Sequence, residues 1–394
     1  MIAPLPRTSS PAAVFAVAGL LAAAGACTRP LLPPPRLFPV STTWVAPVGQ
    51  ILEGPLATDG TRIFAAGRDG VVVAVDRSTG AVLWRTEAGP GAVSANGPAA
   101  LVHRGVDGVV SALDPASGSI RWRSPSAIEG TLPALVDGDL AIVVGQGAAA
   151  LELSSGRVLW SLPGPPRATS PAAAYGPWLF VGEEDGTLRC RDRASGASLW
   201  THKTGEALLA APVVDAERRV FLGATDRSFL SFDAKGRRRW RWKLGADVQN
   251  PPVIYHETVL VAAHDDVLYA LRRKAGDLAW RRSLPSRPLS GPILVGTAVL
   301  VACYESEVAG FDAETGKPLG AVRTPSGLRT PPIVIGDRLY AGLRDRTIVG
   351  LWLGDPAARP SPSPTPTPSP VTPSPAPSPS PSTSPSPSPK PGNP

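Results

Sequence analysis

Residues 71–84 read VVVAVDRSTGAVLW, and variants of this phrase recur along the chain. The later copies are VVSALDPASGSIRW at 109–122, AAALELSSGRVLW at 148–160, TLRCRDRASGASLW at 187–200, SFLSFDAKGRRRW at 228–240, VLYALRRKAGDLAW at 267–280 and EVAGFDAETGKPLG at 307–320. Gly320 replaces the tryptophan in the last copy, and successive copies lie 38 or 40 residues apart. Self-similarity at a fixed period of this length is typical of repeat architectures.

A second landmark has the same period. A proline precedes a short apolar stretch in each unit, at Pro55, Pro98, Pro133, Pro171, Pro212, Pro252, Pro292 and Pro332. Two independent landmarks in phase indicate eight units.

Within a unit the pattern predicts four short strands and no helix. In the fourth unit they cover 171–174, 178–182, 187–191 and 198–202, with turns at 183–186 and 192–196. An aspartate at the start of the second turn can accept backbone amides, and a glycine at its end adopts a positive φ without strain. This aspartate recurs as Asp76, Asp114, Asp192, Asp233 and Asp312. Four antiparallel strands per ~40 residues are typical of a β-propeller blade.

The last unit lacks its outer strand. From Pro332 it contains strands near 333–335, 339–342 and 347–352 and then meets a proline-rich tail. Residues 42–48 (TTWVAPV) precede the first unit, and Trp44 lies 40 residues before Trp84. We therefore expect an all-β, eight-bladed propeller over 42–355, closed by the N-terminal strand, which removes the exposed sheet edges of an open array.

The phrase resembles the pyrroloquinoline-quinone-type propeller repeat, A-x-D-x-x-T-G-x-x-x-W. The resemblance implies that each tryptophan docks between adjacent blades. Eight such blades behind an N-terminal anchor resemble the BamB-type lipoproteins of outer-membrane barrel assembly, over about residues 42–354.

The N-terminus predicts export. Arg7 is followed by an apolar run from Ala12 to Ala26, which is too short to span a bilayer permanently and matches the apolar region of a signal peptide. LAAAGAC, ending at Cys27, resembles the lipobox of bacterial lipoproteins, although Ala24 stands where that motif prefers Leu, Val or Ile. We expect a signal peptide at 1–26, and at 27–41 an acylated Cys27 with a proline-rich tether. Thr28 follows the cysteine, and because this position is not Asp, the chain resembles lipoproteins that are sorted to the outer membrane. The alternative is an ordinary secretory peptide cut at Ala-Gly-Ala.

The C-terminus predicts an extended tail, and the distribution of charge argues against a nucleic-acid partner. Residues 356–394 hold 17 of the 47 prolines, mostly alternating with Ser or Thr, which predicts a solvated, polyproline-like tail. The whole chain has a formal charge of +7, but the predicted propeller, residues 42–355, has a net charge of only +2, because it holds all 32 acidic and 34 of the 39 basic residues. A nucleic-acid partner is not expected.

Catalytic patterns are weak. Quinoprotein dehydrogenases of the same repeat family carry a vicinal cysteine pair, whereas Cys190 and Cys303 fall in different units and are interpreted as buried strand residues. The four histidines are scattered. The sequence His264-Asp265-Asp266 could ligate a cation and Glu183 to Asp185 could supply paired carboxylates, but solvated turns are the favoured interpretation of both. We expect no enzyme activity, cofactor or metal.

The basic stretch KGRRRWRWK, residues 235–243, allows two interpretations. On a strand its cations share one face and Trp240 and Trp242 the other. Interleaved aromatic and cationic residues could bind an acidic polymer or a phospholipid. The favoured interpretation is an outer strand whose cations block edge pairing while the tryptophans pack inward.

The family resemblance implies a partner-binding surface. In BamB-type proteins, loops leading into two successive mid-ring blades contact the barrel-assembly subunit. They match residues 162–171 and 205–212 here, although the acidic pair of the family is replaced in the second loop by Leu208 and Leu209. The candidate contact residues are Arg167, Thr169, Ser170, Glu206, Leu208 and Leu209.

The sequence thus favours a non-catalytic scaffold for barrel assembly. We expect it to be lipid-anchored in the outer membrane, to face the periplasm and to bind the barrel-assembly subunit or β-barrel clients as a monomer within a larger complex. The alternatives are a secreted propeller that binds a ligand, cell wall or polysaccharide, and a quinoprotein dehydrogenase.

Overall fold

The computed structural model describes residues 37–354 except 96, 98 and 99. Within these residues every regular element is a strand, and 32 strands form eight four-stranded antiparallel sheets. The predicted eight-bladed all-β propeller is therefore confirmed. The predicted signal peptide, Cys27 and the tail from 356 onward lie outside the described residues.

The blades follow one another in chain order. The strands of the first four blades are β2 Leu52–Thr58, β3 Arg62–Gly67, β4 Val71–Asp76 and β5 Val82–Glu87; β6 Gly91–Ala95, β7 Leu101–Gly105, β8 Val109–Leu113 and β9 Ile120–Pro125; β10 Leu135–Asp137, β11 Leu140–Gly145, β12 Gly147–Glu152 and β13 Val158–Pro163; β14 Ala173–Tyr175, β15 Trp178–Gly182, β16 Thr187–Asp192 and β17 Ser198–Lys203. Those of the next three are β18 Val213–Val214, β19 Val220–Gly223, β20 Ser228–Phe232 and β21 Arg238–Lys243; β22 Val253–Tyr255, β23 Thr258–Ala263, β24 Val267–Arg272 and β25 Leu278–Ser283; β26 Ile293–Val295, β27 Ala298–Cys303, β28 Glu307–Asp312 and β29 Pro318–Arg323.

The eighth blade is built from both ends of the ring. Its inner three strands are β30 Ile333–Ile335, β31 Arg338–Gly342 and β32 Thr347–Leu353, and its outer strand is β1 Val40–Pro47. Strand β1 pairs antiparallel with β32, from Val40 opposite Leu353 to Pro47 opposite Thr347. The predicted closure by the N-terminal strand is confirmed, and β32 has a partner on each side.

The hydrophobic core lies between blades. Buried residues form eight clusters, one at each junction between neighbours. At the junction of blades four and five, Phe180 and Leu188 pack against Leu222 and Phe232. The second and third strands of each blade supply most of these side chains, which explains why their sequences are nearly continuous apolar runs.

Each repeat tryptophan links its blade to the next one. The indole nitrogen of Trp84 donates to the backbone oxygen of Pro115 at 3.0 Å, and that of Trp44 donates to Arg77 at 3.0 Å. Trp122, Trp160, Trp200, Trp240 and Trp280 repeat the contact. The ring lies over the turn glycine of the next blade; a Cβ on Gly80 would come within 2.7 Å of Trp44. The docking implied by the repeat family is confirmed.

The turn aspartates play their predicted role. The Asp114 carboxylate accepts the amides of Ala116 and Ser117 at 2.9 Å each, and Gly118 ends the turn at φ 73°. The other four aspartates accept turn amides in the same way.

The proline landmark is wrong in the first two blades. Pro55 lies within β2, at a register shift between Glu53 and Ala57, where a residue without an amide hydrogen leaves no ladder donor missing. The inner strand of blade two, β6, precedes Pro98, which lies outside the described residues. Pairing with β7 defines that strand, and pairing cannot be read from a proline's position alone.

Candidate partner-binding face

The two predicted partner loops lie at one end of the ring. Residues 164–172 connect β13 to β14, and residues 204–212 connect β17 to β18; the β15–β16 turn at 183–186 lies between them. We call this end, with the corresponding loops and turns of the other blades, the connection face. The end that carries the aspartate turns is the opposite face.

Direct contacts join the two loops. The hydroxyl of Thr169 donates to the backbone oxygen of Leu208 at 2.8 Å. Thr204 donates to the Gly186 oxygen, also at 2.8 Å, and attaches the second loop to the turn between them. The surface implied by the family resemblance is therefore one continuous structural unit.

Arg167 projects from this unit while its backbone is fixed. The Glu184 amide donates to the Arg167 oxygen at 3.0 Å, and the Arg167 amide donates to the Glu184 carboxylate at 3.3 Å. The residue itself is exposed, as is Glu206 in the second loop; Thr169 and Leu209 are half-buried. Held by its backbone, Arg167 presents a guanidinium to solvent from a defined position.

Two of the candidate contact residues do not reach the surface. Ser170 is fully buried; its hydroxyl accepts the Gly182 amide at 2.8 Å and donates to the Pro171 oxygen at 3.1 Å. Leu208 is also fully buried and packs on Gly182, where an added Cβ would lie 2.6 Å from its own Cβ. The prediction that Ser170 and Leu208 contact a partner directly is therefore wrong, because both side chains are buried within the ring.

The Glu183 and Asp185 carboxylates of the β15–β16 turn are bound by neighbouring groups of the same blade. Arg189 donates to both oxygens of the buried Glu183, at 2.6 and 3.0 Å. Asp185 accepts the Thr187 amide at 3.0 Å and lies 3.8 Å from the Lys203 ammonium; hydrogen bonding by the Thr187 hydroxyl, above all, lowers the pKa of its carboxyl. The partners of Asp185 favour its ionised form, whereas a general acid needs a raised pKa. The predicted turn is confirmed, but Glu183 within it is buried and not solvated.

A small cavity of about 160 Å³ lies beneath the first loop. Leu162, Pro163 and Pro166 line one side, and Glu183 and Arg191 line the other. Burial lowers the pKa of the Arg191 guanidinium, which donates to the Gly196 oxygen at 2.9 Å. The cavity is too small for a quinone-sized cofactor, since ligand pockets are typically ~300 Å³ or more.

The basic stretch is an outer strand, as the favoured interpretation predicted. Arg241 and Lys243 of β21 both pair with Asp226, at 2.6 and 3.2 Å. Trp240 faces inward and donates to the Arg273 oxygen of the next blade at 3.0 Å. Part of the cationic charge is therefore neutralised within blade five.

The cysteines and histidines stay apart. Cys190 lies in blade four and Cys303 in blade seven; both are free and buried, and burial raises their thiol pKa values to about 12 and about 11. His264 lies 3.5 Å from Asp247, while Asp265 accepts a short hydrogen bond of 2.5 Å from Tyr269. Among the residues that the structure describes, no group of three or more His, Cys, Asp or Glu side chains is arranged to hold a metal ion.

Residues 37–354, apart from 96, 98 and 99, contain no helix that is long and apolar enough to cross a membrane.

One feature of this face was not predicted from the sequence. Tyr304, in the β27–β28 turn, is exposed beside a cleft lined by Asp266, Arg287 and Glu305. The signal available in the sequence was the aromatic residue at a turn position that is polar in most other blades.

A protein-family model described as outer membrane protein assembly factor BamB matches residues 40–169 and 148–355. Among solved structures, BamB from Moraxella catarrhalis superposes with a TM-score of 0.69 at 21% identity, over 80% of this chain and 100% of that chain. The quinohemoprotein alcohol dehydrogenase from Comamonas testosteroni gives 0.66 at 12% identity, over 82% and 77%. The computationally designed protein Ika8 gives 0.66 at 16%, over 78% and 97%. No curated protein sequence matches the chain. At these identities, the structural likeness shows the fold alone.

Proposed function

The chain belongs to the family described as outer membrane protein assembly factor BamB, and from this membership we propose that it is a non-catalytic scaffold for the assembly of β-barrel outer-membrane proteins. It would act by binding the barrel-assembly subunit, or client proteins, at its connection face. Within the assembly it would be a monomer.

The observation that carries this proposal is the joined loop unit on blades four and five. Thr169 ties the first loop to the backbone of Leu208, so the exposed Arg167 and Glu206 keep a fixed spacing. Preorganised surfaces bind with a smaller loss of side-chain and loop entropy than mobile ones. With Ser170 and Leu208 buried, the proposed contact residues are Arg167, Thr169, Glu206 and Leu209.

The course of β1 supports a definite orientation. The strand begins at Val40, opposite Leu353, and ends at Pro47, opposite Thr347, which follows the connection-face turn of blade eight. The chain therefore enters the ring from the opposite face. We propose that an acylated Cys27 anchors the protein in the outer membrane and that this opposite face is the one next to the anchor. Arg167 would then point away from the anchored end, toward the periplasm.

A dehydrogenase role has less support. Cys190 and Cys303 lie in blades four and seven, so the chain offers no vicinal pair to cover a quinone. Glu183, the buried carboxylate nearest to the first loop, is held by Arg189. A ligand-binding propeller is the stronger second candidate, and the cleft beside Tyr304 favours it.

Photocrosslinking in cells tests the scaffold function. A photoreactive amino acid at position 167 is expected to capture the β-barrel subunit of the assembly machinery. Position 287 is a matched control, since the backbone oxygen of Arg287 accepts the Tyr304 amide just as that of Arg167 accepts the Glu184 amide, each at 3.0 Å. Capture of glycan or unrelated proteins alone from position 167, or equal capture from 167 and 287, would contradict the proposal.

A further inference from the structure

The connection face carries a second feature, on blades six and seven. A solvent-open cleft of about 560 Å³ lies between the β23–β24 and β27–β28 turns and the loops before β22 and β26. Asp266, Ser286, Arg287, Tyr304 and Glu305 contribute to its walls. Its volume lies within the ~300–1,000 Å³ typical of small-ligand sites.

The repeat itself shows that this cleft departs from the general pattern. The turn position of Tyr304 corresponds to Glu184 and Arg344, because the three amides donate to matching loop oxygens of Arg287, Arg167 and Gly327. The same contact identifies Arg68, Val106, Gln146, Thr225 and His264 as the residues of the other blades. Tyr304 is therefore the single benzene ring among eight equivalent positions, and it is 43% exposed.

Asp266 occupies a turn position that is glycine in three other blades and Arg227, Ser306 or Arg346 in three more, all at positive φ. Its φ is 60°, and the equivalent residues Gly70, Gly108 and Gly186 have φ values of 86°, 80° and 78°. Side chains are disfavoured in this region, although Asp tolerates it better than most. A carboxylate is thus placed at the cleft although glycine would fit the turn without strain.

The charged groups of the cleft are unpaired, in contrast to those of neighbouring blades. Asp226 binds Arg241 and Lys243, and Glu53 binds Arg68 and lies 3.7 Å from Arg329. Within the described part of the chain, the side chains of Asp266, Arg287, Tyr304 and Glu305 have no hydrogen-bond or ion-pair partner. The cleft therefore offers carboxylate acceptors, guanidinium donors and an open aromatic ring together.

We propose that this cleft binds a pyranose oligosaccharide. The exposed ring of Tyr304 offers an apolar surface to the C–H face of a sugar, and Asp266, Arg287 and Glu305 supply acceptors and donors for neighbouring hydroxyls. Two carboxylates disfavour nucleic acids and other polyanions, while Arg287 disfavours a purely cationic ligand. Apart from the rings of Tyr304 and His264, the side chains that line the cleft are polar and non-aromatic, so it lacks the apolar pockets that anchor peptide side chains. The site is separate from Arg167, so each proposal can fail alone.

Saturation-transfer NMR on the full-length protein tests the proposal, with cellotetraose, chitotetraose and a muramidase digest of peptidoglycan as probes. We expect at least one to show transfer, strongest at its ring C–H protons. Tyr304→Ala should weaken binding about tenfold, whereas Tyr304→Phe should stay within about threefold, because stacking outweighs the hydroxyl. Asp266→Asn should also weaken binding, because it removes the charged acceptor. Arg344→Ala, at the equivalent position of blade eight, should bind like the wild type.

Unchanged melting temperatures would show that the exposed substitutions leave the fold intact. Absence of transfer from all three probes would overturn the proposal. Transfer that is equal in wild type, Tyr304→Ala and Asp266→Asn would also overturn it, and so would binding confined to the peptide stems of the digest, which would assign the cleft to peptides. Crosslinking from Arg167 is unaffected by these results.

Discussion

The ring of Phe38 lies where a side chain at position 320 would begin: a Cβ on Gly320 would be 2.8 Å from Phe38 Cγ. Gly320 replaces the repeat tryptophan in blade seven, and it pairs with Gly310, whose Cβ would also meet the Phe38 ring, at 2.5 Å. In the other blades the tryptophan docks on the turn between the third and fourth strands of the next blade. Blade eight is closed by β1 and has no continuous chain at that turn. The incoming N-terminal segment fills the place with Phe38 instead.

This relationship predicts that Phe38 and Gly320 are energetically coupled. Phe38→Ala should lower the free energy of unfolding by about 1.5 kcal/mol, because a half-buried aromatic side chain is removed. Gly320→Ala should also destabilise, since φ is 151° there and the methyl group would meet the ring. In the Phe38→Ala background the second cost should shrink by about 1 kcal/mol. Urea unfolding of the four variants measures the cycle, and additive effects would contradict the contact.

Ring closure gives a second prediction. Removal of residues 1–47 would leave β32 with an unpaired edge and Tyr340 without the ring of Trp44, whose centroid is 5.7 Å away. We expect the melting temperature to fall by at least about 10 °C or the cooperative transition to disappear. A chain that ends at Gly354 is the control and should melt like the full-length protein, because the tail is predicted to be a solvated extension. Equal melting of the N-terminal deletion would refute closure by β1.

The turn aspartates predict the response to acid. Arg121 donates to Asp114 at 2.6 Å and turn amides add to this, which lowers the pKa of the carboxyl to about 2. The pKa values of Asp192 and Asp312 are lowered too, first by the hydroxyls of Ser195 and Thr315. A carboxyl with a lower pKa in the folded state stabilises the fold above the unfolded value of ~4 and loses this contribution as the pH falls toward its folded pKa.

Stability should therefore decline between about pH 4 and pH 2. Replacing Asp114, Asp192 and Asp312 together by Asn keeps a side-chain oxygen for the turn amides but removes the titration. Urea unfolding at several pH values should show a shallower decline for this triple variant, which should be less stable than the wild type at pH 7 and approach it near pH 2. An unaltered slope would show that other groups govern the acid response.

Membrane attachment is tested by metabolic palmitate labelling. LAAAGAC predicts that Cys27 is acylated, so the wild type should incorporate labelled palmitate and Cys27→Ala should not. Cys190→Ala is the matched control, because that thiol is buried and burial raises its pKa to about 12, which makes it unreactive. Label that persists in Cys27→Ala, or is missing from the wild type, would favour an ordinary secretory peptide.

The sequence predicts the ring well because its determinants are local and repeated. The Asp-to-Gly turn and the tryptophan recur in phase, and seven repetitions outweigh any one irregular unit. Position alone does not show whether a loop residue faces solvent, however. Ser170 and Leu208 stand in a partner loop by their place in the chain, yet contacts with Gly182, a residue of the intervening β15 strand, draw both side chains inside. The place of Phe38 becomes clear only when the N-terminal segment meets blade seven, and that of Tyr304 only when blades six and seven form a cleft.

Arg104 is another residue whose place depends on contacts between blades. Its guanidinium, on β7 of blade two, is 2% exposed and donates to three backbone oxygens of blade three: Val144 at 2.5 Å, Leu132 at 2.9 Å and Ile128 at 3.1 Å. Burial lowers its pKa to about 10. It is thus a buried cation whose hydrogen-bond partners are uncharged carbonyls of β11 and of the segment leading into β10.

Arg104→Met should lower the free energy of unfolding by about 3 kcal/mol, because it keeps much of the side-chain volume but leaves buried carbonyls without donors. Since those acceptors stay in place, relief from burying the cation offsets only part of the loss. Arg123→Met, an exposed change nearby, should alter stability by less than about 0.5 kcal/mol. Urea unfolding measures both, and hydrogen exchange should become faster at residues 128–132 in the Arg104 variant alone. Equal stability and exchange of the two variants would show that the carbonyls do not depend on Arg104.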